Sequence, residues 1–183
     1  MFARLLERLA QALDTAGLPY MVIGGQAVLL YGEPRATRDI DITLGVSVDE
    51  VEQILALAAK LALKPLTAKP AEFVRKTMVL PTQDESSGIR VDFIFSWSPY
   101  ERQALERAQA IPIGDTKVRF AAMEDVVIHK VIAGRPRDIE DVRTMLVKNP
   151  AHDRDYILQW LKEFDQALAG NYTATFLGIA SGL

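Results

Sequence analysis

Asp39 and Asp41 are the residues of this chain whose type and spacing point most directly to chemistry. In Asp39-Ile40-Asp41-Ile42-Thr43-Leu44 polar and apolar residues alternate strictly, so Asp39, Asp41 and Thr43 share one face of a strand. Carboxylates at i and i+2 stand about 6 to 7 Å apart along a strand and can converge on hard cations. The segment Ile89 to Phe95 alternates in the same way: Ile89, Val91, Phe93 and Phe95 form one face, Arg90, Asp92 and Ile94 the other. Asp92 is therefore the candidate third acid. Such a set can hold two magnesium ions, one activating an attacking oxygen and the other stabilising a leaving phosphate.

The elements that must position these acids follow from periodicity. Phe2, Leu5, Leu6, Leu9, Ala12 and Leu13 mark an amphipathic helix over residues 2 to 16, ended by Gly17 and Pro19. Tyr20 to Ile23 reads as a buried strand that passes through Gly24-Gly25 into a helix-like run, Gln26 to Leu30. A glycine pair between strand and helix lets backbone N–H groups approach phosphate oxygens, and it serves equally as a tight turn without a ligand. Ser47 and Glu50 form a capping-box pattern ahead of a helix carrying Val51, Ile54, Leu55, Ala58 and Leu61. Residues 64 to 72, with Pro65 and Pro70, read as a loop, Phe73 to Leu80 as a strand and Gln83 to Gly88 as a polar turn. A helix near Glu101 to Ala108 and short strands at 111 to 113 and 117 to 120 complete an α/β region over residues 1 to 121. From Met123 onward the pattern is helical, broken at Gly134 to Pro136 and at Asn149-Pro150, which makes residues 122 to 183 a helical C-terminal part packed on the first. Its last clear stripe is Tyr156, Ile157, Trp160, Leu161, Phe164 and Leu168, with both Trp160 and Phe164 expected in the core.

Composition narrows the chemistry. The 183 residues include no cysteine, which excludes disulfides, thiolate zinc sites and a cysteine nucleophile. The two histidines, His129 and His152, suggest no metal site and are expected at the surface or at a cap. Half the residues are hydrophobic, a quarter are charged and the formal charge is −3, the profile of a globular chain able to fold alone. Neither uncharged stretch, 15 to 32 or 166 to 183, has the continuous apolar character of a membrane span. The N-terminus lacks a signal-peptide pattern, so a soluble cytoplasmic protein is expected.

Lys130 falls on the apolar stripe of its helix, between Met123, Val126 and Val127. A buried ammonium needs a carboxylate or a phosphate. Asp138, between Val142 and Met145 on the following helix, is one candidate partner.

Taken together, Ile23-Gly24-Gly25, a thirteen-residue spacer and Asp39-Ile40-Asp41-Ile42, with Asp92 later, resemble the signature of the nucleotidyltransferase superfamily. The run Pro34 to Asp41, and beyond it Met123-Glu124-Asp125, Lys130, Arg137-Asp138 and Asp141, resembles the abortive-infection toxin-like branch found in bacterial toxin-antitoxin pairs. The resemblance covers roughly residues 18 to 147 and is most specific in the first third. It implies an α+β, polymerase-beta-like fold, a mixed sheet flanked by helices with a helical C-terminal part. It also implies a magnesium-dependent enzyme that transfers a nucleoside monophosphate from a triphosphate such as ATP to an acceptor: RNA such as transfer RNA, or protein, with a cognate antitoxin as partner. Asp39, Asp41 and Asp92 would then ligate two magnesium ions, with Asp92 as an alternative general base. Gly24 and Gly25 would cradle the triphosphate, Lys130 would reach it with Asp138 orienting the lysine, and Arg35 and Arg38 would neutralise phosphate charge or remain solvated. Gly25 departs from the pattern, since many relatives carry Ser there. A small-molecule acceptor of the antibiotic type and a non-catalytic nucleotide- or partner-binding module remain open alternatives.

Overall fold

Leu5, Leu6, Leu9, Ala10 and Leu13 are the buried stripe of α1 (Phe2–Thr15), and Gly17, at φ +64°, turns the chain toward β1 (Tyr20–Ile23). The structure, a computed structural model, describes residues 1–96 and 98–183. Those residues divide into two units, residues 1–26 with 37–121, and residues 27–36 with 122–183.

In the first unit β1 leads without a loop into the opening turn of α2 (Gly24–Tyr31), whose residues from Ala27 on belong to the second unit, and β2 (Asp39–Leu44) returns antiparallel to β1. Ser47 and Glu50 make the expected capping box, here over a short 3-10 turn that runs into α3 (Val51–Lys60). β3 (Leu63–Pro65), α4 (Pro70–Thr77) and β4 (Val79–Asp84) follow.

This last stretch corrects the sequence reading of a loop over 64 to 72 and a strand from Phe73 to Leu80. Residues 70 to 77 are helical because Pro70 occupies the first turn, where its missing N–H costs nothing. Glu72 also sits at the positive end of the helix and Arg75 with Lys76 at the negative end. The apolar run that suggests a strand is split by Met78, at φ +62°, which ends the helix. The strand therefore begins at Val79 and takes in Gln83 and Asp84, residues expected in the turn. β5 (Arg90–Phe95), α5 (Pro99–Arg107), β6 (Gln109–Ile113) and β7 (Thr116–Phe120) complete the unit.

The strands form a seven-stranded mixed sheet in the order β3-β4-β5-β2-β1-β7-β6. β2 and β5 are parallel neighbours, as are β1 and β7. Ile40 and Ile42 of β2 and Val91, Phe93 and Phe95 of β5 are fully buried and, with the stripes of α1 and α3, make the core of this unit. The opposite face carries the acids.

The second unit holds α6 (Met123–Ala133), α7 (Pro136–Lys148), α8 (Arg154–Leu168) and α9 (Tyr172–Ser181). Gly134, at φ +63°, and Pro136 make the expected break between α6 and α7. Val126, Val127, Val142, Met145, Ile157, Leu161 and Phe176 are its core; Trp160 is buried and Phe164 half-buried. α9 lies within the stretch read as helical but was not marked out as a helix of its own, because Thr and Ser alternate among its apolar residues without forming a stripe. Its start is held by the Asp165 carboxylate, which accepts from the backbone N–H groups of Tyr172 and Thr173. Among the described residues no helix is long and apolar enough to cross a membrane.

Candidate active site

Strand register brings the acids together. In the parallel β2–β5 pair Asp41 stands beside Asp92 and Asp39 beside Arg90. Neighbouring strands lie about 4.8 Å apart, so Asp41 and Asp92 leave the same face as immediate neighbours, with Asp39 one pleat further along β2. All three are partly exposed. Two carboxylates about 5 Å apart repel by roughly 3 kcal/mol at an effective dielectric of about 20, so the cluster calls for cations.

Gly24 closes one side of this cluster. Its φ is +63°, a left-handed conformation that glycine adopts without penalty. A Cβ at this position would lie 2.0 Å from Asp41 Oδ2 and 2.9 Å from its Cγ. The sequence argument for the glycine pair rests on phosphate approach; the structure adds that the Asp41 carboxylate lies against the Gly24 backbone. Gly25, buried, sits in the first turn of α2, whose leading N–H groups have no partners within the helix. The side chain of Gln26 donates to the Asp39 carbonyl at 3.4 Å, and the Thr37 hydroxyl donates to Asp39 Oδ1 at 3.2 Å.

Arg90 was not among the residues the sequence singled out for chemistry. Its Nε donates to both Asp92 oxygens, at 2.8 and 3.0 Å. The hydrogen bond to Asp92, with the further charges of Asp39 and Asp41, raises the guanidinium pKa above its usual value against the opposing effect of burial. The signal was present in the sequence, since an arginine two residues before a strand acid shares its face. Among the described residues no three His, Cys, Asp or Glu side chains gather closely enough to hold a metal ion. The donor chemistry nevertheless suits magnesium: oxygen ligands only, on adjacent register positions, beside a helix N-terminus fit for phosphate. Beyond Arg90 the same face continues through Gln83 of β4 to Lys64 of β3, both exposed. Arg38 is exposed as well.

The second unit contains the other charged residues of the sequence reading. Lys130 is buried, and its Nζ lies 2.6 Å from Asp138 Oδ1 and 3.0 Å from Asp141 Oδ2. Arg35 forks onto Asp141, Nε to Oδ1 at 2.8 Å and Nη2 to Oδ2 at 2.9 Å. Arg135 Nε reaches Asp138 Oδ2 at 2.5 Å. Burial alone would raise the Asp138 pKa, but hydrogen bonds from Arg135 and Lys130 outweigh it and hold the carboxyl below its usual value. Arg35, Lys130 and Arg135 against Asp138 and Asp141 leave a formal charge of +1. The Lys130 to Asp138 pair expected from burial is thus present, and Asp141 and Arg135 extend it.

His129, expected at the surface or at a cap, is half-buried. Its Nδ1 is shielded from water, and burial pushes the imidazole pKa down to about 4. His152 does act locally, with Nδ1 2.8 Å from the Asn149 carbonyl oxygen.

This architecture is that of known nucleotidyltransferases. The solution structure of the antibiotic-resistance factor ANT(2'')-Ia matches with a TM-score of 0.64 at 16% identity, covering 91% of this chain and 94% of that one. An antigenic nucleotidyltransferase-like protein from Paracoccidioides brasiliensis matches with a TM-score of 0.58 at 16% identity, covering 95% of this chain and 91% of the other. The lincosamide antibiotic adenylyltransferase LnuA, bound to lincomycin, gives a TM-score of 0.55 at 16% identity over 78% of this chain and 94% of its own. No curated protein matches the sequence. The family model described as "Nucleotidyltransferase of unknown function (DUF6036)" matches residues 2–167, and the chain therefore belongs to that nucleotidyltransferase family.

Proposed function

We propose that this protein is a magnesium-dependent nucleotidyltransferase that moves a nucleoside monophosphate from a triphosphate such as ATP to an RNA acceptor, for instance a transfer RNA. The observation that carries this reading is the set of Asp39, Asp41 and Asp92 on one sheet face, with Asp41 against the glycine that opens α2. Two magnesium ions held by these acids would activate the acceptor oxygen and neutralise the leaving pyrophosphate. Gly24, Gly25 and the N-terminus of α2 bind the triphosphate through backbone N–H groups. With Asp92 as general base in place of a metal ligand, it takes the proton of the acceptor hydroxyl as the hydroxyl oxygen bonds to the α-phosphorus and the bond to the β-phosphate oxygen breaks; with Asp92 on the metal, that proton leaves to water. Arg38 offers charge to phosphate, and Arg135 gives the Arg35, Lys130, Asp138 and Asp141 network the surplus positive charge that suits it to the same class of group.

The acceptor reading has its own support. Arg90, Gln83 and Lys64 extend from the acids across the sheet, a row of side-chain donors able to meet the phosphate oxygens of an RNA. An RNA acceptor fits the role of a toxin held in check by a cognate antitoxin in the cytoplasm. A small-molecule acceptor is the second reading, since an antibiotic-resistance factor and a lincosamide adenylyltransferase share the fold.

The test is incubation with magnesium, each labelled nucleoside triphosphate and total bacterial RNA, followed by denaturing electrophoresis. Label on a transfer-RNA-sized band, lost in Asp41→Asn, is the expected result. Label on an antibiotic or other small acceptor would replace the RNA reading, and triphosphate binding without product under any acceptor would leave a non-catalytic module.

A further inference from the structure

Asp92 contributes to a metal site only if its oxygens are available, and in this structure both are engaged by one nitrogen of Arg90, at 2.8 and 3.0 Å. Arg90 is also the register neighbour of Asp39, so it stands between two of the acids on the face that carries all three. Its side chain is 51% exposed while that of Asp92 is 15% exposed, so the guanidinium can swing into water whereas the carboxylate stays in place. An exposed ion pair of this kind is weak and exchangeable. Arginine does not leave by losing its proton, so it yields Asp92 only by moving. These observations also give a physical reason why no three acids gather here: the third is turned onto Arg90.

We infer that Arg90 is a positioning residue of the metal site, which holds Asp92 in the metal-free protein and gives it up to a divalent cation, thereby setting how tightly the acid face takes that cation. The inference rests on the magnesium reading given above. It makes the arginine a competitor: the cation must displace one positive charge and then bind beside it. Removing the guanidinium therefore tightens metal binding, and it does so in part through Asp92.

The experiment titrates the full-length protein with Mn2+ in the absence of nucleotide, reading free Mn2+ by electron paramagnetic resonance. Wild type is compared with Arg90→Gln, Arg90→Lys, Asp92→Asn, the Arg90→Gln/Asp92→Asn double variant and Asp41→Asn. The expected result is a Kd about tenfold lower in Arg90→Gln, equivalent to about 1.4 kcal/mol, with Arg90→Lys close to wild type because the charge is kept. In the Asp92→Asn background the gain from Arg90→Gln should shrink to the part that comes from removing a neighbouring positive charge, since the rest of the coupling runs through that carboxylate. Binding in Arg90→Gln no tighter than wild type, while Asp41→Asn abolishes it, overturns the role of Arg90 and leaves the metal site standing. Equal Mn2+ binding in wild type and Asp41→Asn, or none in any variant, overturns the metal site and the inference with it.

Discussion

The two units handle charge in opposite ways. In the second, Lys130, Asp138 and Asp141 are buried, and each makes at least two charged contacts of 3.0 Å or less. In the first, Asp39, Asp41, Asp92 and Arg90 sum to −2 and remain partly exposed. A buried network has to be nearly complete, because an unpaired charge in low dielectric is costly. An exposed cluster with an excess of one sign is tolerable only near water, and it costs stability through like-charge repulsion. That difference separates residues whose charges satisfy one another within a helix pair from the residues proposed above to take a metal ion.

The comparison predicts opposite outcomes for charge removal. Lys130→Met should lower stability by about 3 to 5 kcal/mol, because Asp138 and Asp141 lose the cation they share inside the protein. A fall of less than about 1 kcal/mol in a urea-unfolding titration would place Lys130 with the ligand-binding charges instead. Asp41→Asn should leave the unfolding midpoint unchanged or raise it slightly, since it relieves repulsion, while cutting nucleotidyl transfer by roughly a thousandfold, about 4 kcal/mol in the barrier. If that variant unfolds more readily than wild type and keeps its turnover, the acid face is structural and the contrast fails.

Gly24→Ala tests how closely the acid face depends on its backbone support. The substitution forces a left-handed alanine and sets a methyl carbon against the Asp41 carboxylate, 2.0 Å from Oδ2 where ordinary contact begins near 3.4 Å. Strain and displacement together should cost about 2 to 3 kcal/mol of stability and reduce transfer as Asp41 is pushed aside. Gly17→Ala is the control: it carries the same φ strain but has nothing within 4 Å of the added carbon. Equal turnover loss in both would show that strain, not the contact with Asp41, is responsible.

How much of this was legible in the sequence depended on whether the signal was local. The acid strands were readable because period-two alternation is unambiguous when Ile and Asp take turns; which residues of the two strands stand side by side was not, since a two-residue slip preserves every face. The capping box at Ser47 and Glu50 was readable because its signal, too, is local. Helix α4 was missed because Phe73, Val74, Met78, Val79 and Leu80 form an apolar cluster that belongs partly to a helix and partly to a strand, and only the left-handed Met78 divides them. The close approach of Asp41 to Gly24 and the fork of Arg35 onto Asp141 join residues 17 and 106 positions apart, which no periodicity encodes.

His129 extends the contrast to pH. It lies one residue before Lys130 on α6, yet burial lowers its pKa from 6.5 to about 4, so at neutral pH the imidazole is uncharged. Between those values the unfolded chain binds a proton that the folded protein refuses, and stability must rise with pH across that window. Its contribution is complete above about pH 6.5 and is lost as pH falls through about 4, amounting to about 2 kcal/mol once partial exposure of the residue is allowed for. Urea-unfolding free energies measured from pH 7 to pH 4 should therefore decline in wild type and decline less in His129→Gln, which has no proton to bind. Identical slopes in the two proteins would mean that the imidazole titrates alike in the folded and unfolded chains, and that acid sensitivity in this range comes from other groups.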